Sequence, residues 1–223
     1  MYEETKKIGV MVKPVRPLTV ALLASAIVVV GSFQAYANKQ GKFLSRLAVE
    51  VLEDGRKLKL IEPFSFKDSD GLLWSVPANT VVNGASIPGP AWSLIGAPLS
   101  GRYRYASVIH DHYCVTKTRP WKSVHRVFYD AMVAGGVSSW KRLVMFAAVY
   151  QFGPRWGKQI RSVRTCIQWQ GKICKGWSES EKSVIVVSKP KFSASAFEKT
   201  IALLKSQNSK SPSDVERLVD AQT

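Results

Sequence analysis

The hydrophobic period of this chain changes near residue 100, and that change limits its fold more than any other feature. Before it, the text reads as short strands and turns. "FLSRLAVEVLEDGRKLKLIEPFSF" holds Asp54-Gly55 between two partly alternating runs, and "SDGLLWSVPANTVV" holds Asp70-Gly71 in the same role, with Pro77 entering a further turn. An Asp-Gly pair between alternating apolar residues is a hairpin signal. In the "NGASIPGPAW" that follows, Gly84, Pro88, Gly89 and Pro90 exclude a regular element. Then "YRYASVIHDHYCV", "WKSVHRVFYDAMVAGG" and "SSWKRLVMFAAVYQFG" each read as a helix, the second stopped by Gly135-Gly136 and the third capped by Ser138 or Ser139. Strands followed by helices give an α+β fold, with a small antiparallel β segment packed on three helices, rather than alternating βαβ units.

The region after about Arg164 differs. Cys166 and Cys174 flank "IQWQGKI", where Gln170-Gly171 is suited to turning a hairpin. A short strand "SVIVVS", a helix "SASAFEKTIALLKSQ" and a last helix starting near Pro212 and Asp214 complete the chain. The organisation expected is a core domain over 38–163 and a peripheral, basic C-terminal extension over 164–223.

At the other end, Lys6, Lys7, Lys13 and Arg16 precede the uncharged "PLTVALLASAIVVVGSFQAYA", which closes on Ala35-Tyr36-Ala37. A basic leader, an apolar run and a small-x-small ending resemble a secretory signal cleaved before Asn38, with a retained membrane anchor as the alternative. The localisation expected is therefore exported, periplasmic or membrane-anchored. In an oxidising compartment Cys166 and Cys174 are placed to close a small disulfide loop, leaving Cys114 as a buried small hydrophobe. The formal net charge is +16; residues 1–37 carry four basic and two acidic side chains, so the remainder keeps +14. Such basicity suits an anionic membrane surface or wall polymer. Nucleic acid fits less well, because the lysines are scattered rather than set on one recognition helix.

All three histidines fall within "VIHDHYCVTKTRPWKSVHRVFYDAM", as His110, His112 and His125. On a helix His110 and His112 lie about 200° apart and cannot face one pocket. His110 shares its side with Tyr113 and Cys114, and Asp111 is its neighbour around the circumference. A return helix after "KTRPW" would present His125, so His110, Asp111 and His125 are the candidate ligands of one zinc, manganese or iron ion, with a coordination position left for water. Asp130, five residues beyond His125, faces another way. The alternative is a His-Asp pair that merely locks helix packing, with His125 solvated beside Arg126. Ser86, in the "NGASIP" turn, lacks the last glycine of a nucleophile elbow.

"VPANTVVNGASIP", then "YASVIHDHYC", then "VHRVFYDAM" resemble a bacterial and phage family, domain of unknown function 1353, over about Leu72 to Trp156. The resemblance implies a small α+β domain and no established activity. In that pattern a carboxylate usually stands where this chain has Asn83, and an aspartate often stands where it has His125. Exchange of one metal-binding side chain for another at 125 favours a ligand role. Two functions are then expected as alternatives. One is a metal-assisted hydrolase of an anionic envelope polymer, in which Asn83 and Ser86 position the substrate. The other is a non-enzymatic envelope or phage-structure module in which the His-Asp pair is structural.

Overall fold

A computed structural model describes residues 40–55, 57–83 and 101–222. The segment read as a signal or anchor, Ser86 and most of the "NGASIPGPAW" turn lie outside the described residues. Residues Ala37–Thr223 cluster as one compact unit.

The β segment forms two small antiparallel sheets. One orders β1 (Lys42–Phe43), β4 (Phe64–Lys67) and β5 (Leu73–Val76) as β1-β4-β5; the other orders β2 (Val49–Val51), β3 (Leu58–Leu60) and β6 (Val81–Val82) as β2-β3-β6. Both Asp-Gly turns fall where the alternation placed them, with Gly55 and Gly71 at φ 63° and 90°. Period-2 burial is clean where the register pairs apolar residues: Phe64 lies opposite Val76 and Phe66 opposite Trp74, all buried, while Lys67 and Ser75 are exposed.

Three helices follow: α1 (Arg104–Thr116), α2 (Trp121–Ala134) and α3 (Ser139–Phe152). The second ends in a Schellman arrangement, with Gly136 at φ 70° and the Val137 amide donating to the Met132 carbonyl. Ser138 takes the N-cap position of α3, but its side chain makes no capping bond. Every residue from Leu143 to Tyr150 is buried, which marks α3 as the central helix. Tyr113 of α1 docks on the first sheet: its hydroxyl accepts from the Ser75 amide at 3.1 Å, donates to the Ser75 carbonyl at 3.2 Å, and its ring meets Trp74 edge-on.

The C-terminal extension divides in two. A long hairpin, β7 (Arg155–Gln170) with β8 (Ile173–Ser188), turns after Gln170 and is stapled by the Cys166–Cys174 disulfide. It stays peripheral. The helices α4 (Ala194–Ser206) and α5 (Pro212–Asp220) do not: Phe197, Leu204, Val215 and Val219 are buried in the main core. Their apolar stripes fit the faces that α3 offers. Ser211 and Asp214 cap α5 reciprocally, with Pro212 at its first turn. No helix among the described residues is long and apolar enough to cross a membrane.

Candidate metal centre

His110 and Cys114 are four residues apart on α1, so they lie one above the other on the same face. Helix α2 packs antiparallel against that face and brings His125 to it. The result is a direct contact: His110 Nε2 lies 2.8 Å from His125 Nδ1, and Cys114 Sγ lies 3.6 Å from His110 Nε2. One donor atom from each of the three residues falls within 4.8 Å of the others, and all three residues are buried. Phe128 packs tilted against His110 while Trp121 and Trp156 close edge-on around His125, so the centre has an aromatic wall. Gly153 permits the approach of α3: a Cβ there would lie 3.1 Å from His125 Nε2 and would press into the Val149 carbonyl.

Burial first, then the neighbouring His125, holds the His110 imidazole well below its usual range. Burial likewise lowers His125 to about 3, with the Arg155 charge adding to the effect and the Pro154 carbonyl opposing it. The buried Nε2 of His125 has no hydrogen-bond partner of good geometry, so that carbonyl compensates only in part. Both rings are therefore neutral near pH 7, the form that ligates a metal. Neither supplies the cation that stabilises a thiolate in thiol enzymes.

The donor chemistry can be tested against an ion. Around a tetrahedral zinc, with bonds of about 2.0–2.3 Å, a sulfur–nitrogen edge is about 3.5 Å and a nitrogen–nitrogen edge about 3.3 Å. The 3.6 Å Cys114–His110 separation already fits. The 2.8 Å His–His contact is a hydrogen bond that would open by roughly 0.5 Å to reach such an edge.

Of the residues the sequence singled out, the structure brings His110 and His125 together. Asp111 is buried one step around α1 and does not join the three donors within 4.8 Å; it lines a cavity of about 340 Å³ that Asn83, Cys114, Lys57, Lys189 and Pro154 also line. Asn83 is exposed there. His112 is half-buried and packs edge-on against Tyr113, away from the centre. Asp130 accepts a hydrogen bond from Ser69 and lies near Asp68 and Asp70. His125 is fully buried rather than solvated, while the adjacent Arg126 pairs with Glu216 at 3.1 Å. Cys114 is the residue that sequence reasoning set aside. Its signal was present, as the i, i+4 spacing from His110 on one helix.

Residues 58–149 match the family described as protein of unknown function (DUF1353). That segment carries Asn83, His110, Asp111, Cys114 and His125 and ends before the β7–β8 hairpin. The chain is 44% identical over 146 residues to the uncharacterized protein y4jT of Sinorhizobium fredii (strain NBRC 101917 / NGR234), covering 63% of this chain and 44% of that protein. It is 37% identical over 158 residues to the uncharacterized protein y4iH of the same organism, covering 69% of this chain and 66% of that protein. It thus spans less than half of the first relative and just under two thirds of the second. No solved structure matches.

Proposed function

We propose that the chain is an exported, metal-dependent hydrolase of an anionic envelope polymer, with His110, Cys114 and His125 as its metal ligands. The observation that carries this reading is the convergence of three buried donors, two of them neutral imidazoles, beside a cavity that Cys114 itself lines. One thiol and two imidazoles suit zinc better than manganese or iron, since sulfur is a soft ligand. Such an ion, held by three protein ligands, would lower the pKa of a bound water and polarise a carbonyl or phosphoryl oxygen. Asp111, on the cavity wall, is positioned to take the proton of that water. Asn83 would orient the substrate, the role that the sequence also assigns to Ser86. Lys57, which also pairs with Asp54, and Lys189 line the same cavity and favour a substrate carrying negative charge. The disulfide supports export, because such bonds persist in oxidising compartments.

Residues 37–223, loaded with zinc, should hydrolyse peptidoglycan or polyphosphate, lose turnover in chelator and regain it when zinc is restored. Asp111→Asn should keep the metal and lose about 10²–10⁴-fold in turnover. Turnover indifferent to both chelator and Asp111→Asn would overturn the assignment.

A second reading has its own support in the 2.8 Å His110–His125 bond, which joins α1 to α2 without any ion. In that reading the pair is structural and the chain is a binding module of the envelope or of a phage particle. His110→Ala would then lower stability equally with and without zinc.

A further inference from the structure

Of the residues in β7 and β8, Trp156 alone is buried. The rest form an arm with no core of its own, and its tip is apolar. Ile167, Trp169, Ile173 and Trp177 are 67%, 64%, 63% and 52% exposed. From Arg164 to Ser178 the sequence contains Arg164, Lys172 and Lys175 and no carboxylate. Trp169 pairs with Cys174 and Trp177 with Cys166 across the strands, so the Cys166–Cys174 disulfide clamps the hairpin between the two indoles. The Arg164 guanidinium lies 5.3 Å from the Trp177 ring centroid while also pairing with Glu179.

Four large apolar side chains exposed at one hairpin tip are unfavourable in water and call for a covering surface. Indole rings rest at the boundary between headgroups and acyl chains, and lysine stems lie along apolar surface while their ammonium groups reach phosphate. We infer that the tip of the arm docks on an anionic lipid bilayer, with Ile167, Trp169, Ile173 and Trp177 entering the interface and Lys172 and Lys175 on lipid phosphates. The isoleucines decide for lipid over single-stranded nucleic acid, whose bases stack on aromatic rings and gain nothing from aliphatic ones. This inference is independent of the metal centre.

Residues 37–223 hold the described core and the arm, and their partition into vesicles is read by sedimentation. The fragment should bind vesicles of equimolar phosphatidylglycerol and phosphatidylcholine more tightly than phosphatidylcholine alone, and salt should weaken that binding. Trp169→Ala with Trp177→Ala should lower partition at least tenfold, on the order expected for apolar area withdrawn from the interface. Lys172→Glu with Lys175→Glu should erase the preference for anionic vesicles, each lysine contributing about fivefold. Trp140→Ala, an exposed tryptophan on α3, should change nothing. The inference fails if the parent does not bind, or if the double tryptophan variant binds as the parent does. It also fails if the tip variants alter only self-association or binding to single-stranded DNA.

Discussion

At His110 and His125 the cost of burial falls on the protonated form. The unfolded chain binds a proton at each near pH 6.5, whereas the folded chain resists protonation, down to about 3 at His125. Between those values the unfolded state holds more protons, so stability falls as pH falls, by about 1.4 kcal/mol per pH unit for each proton. Asp130 works the other way: burial, with Asp68 and Asp70 nearby, raises its carboxyl from 3.8 to about 6, so between those values the folded state holds more protons and stability falls as pH rises. Glu62 and Asp214, whose carboxyls are lowered, act only below about pH 4.5. Urea unfolding of the chelator-treated Asp130→Asn variant should therefore show stability declining steadily from pH 6.5 to 4.5. A flat profile would mean that the two rings are hydrated in the folded protein.

Among the elements, the α1–α2 pair and the β7–β8 arm differ in how they are held. The pair is fixed by packed aromatic rings and the His–His bond; the outer arm relies on its ladder and the one disulfide. Closing a loop with a sequence separation of 8 contributes about 2–3 kcal/mol in the chain-entropy treatment. Because the tip supplies no core residue, reduction should raise amide exchange from about Arg164 to Ser178 and leave α1, α2 and α3 unchanged. Uniform loss of protection would contradict that division. The sequence located the hairpin turn and its cysteines but not the length of the strands. Polar and apolar residues in "RWGKQIRSVRTCIQWQ" build no buried face, so periodicity had nothing to register.

At the scale of the whole molecule, the change of period near residue 100 separated β1–β6 from α1–α3 within the core, because those elements pack against one hydrophobic core, whereas β7 and β8 follow the helices and bury only Trp156. What the sequence left hidden depends on distant segments meeting. Pro154 and Lys189 reach the cavity from either end of the arm, and Lys57 reaches it from the second sheet. Asp111 was placed beside His110 by its number, yet one step around the helix turns it to the cavity while Cys114, four residues on, shares the face of His110. Since Cys166 and Cys174 are tied to each other, Cys114 is the one thiol left to bind an ion. Cobalt substitution tests that centre most directly. Residues 37–223 should take up one cobalt ion and show a thiolate-to-cobalt charge-transfer band, which Cys114→Ser removes and His125→Ala weakens together with affinity. A cobalt-treated protein without that band, or with a band that survives Cys114→Ser, would contradict the assignment of His110, Cys114 and His125 as a metal centre.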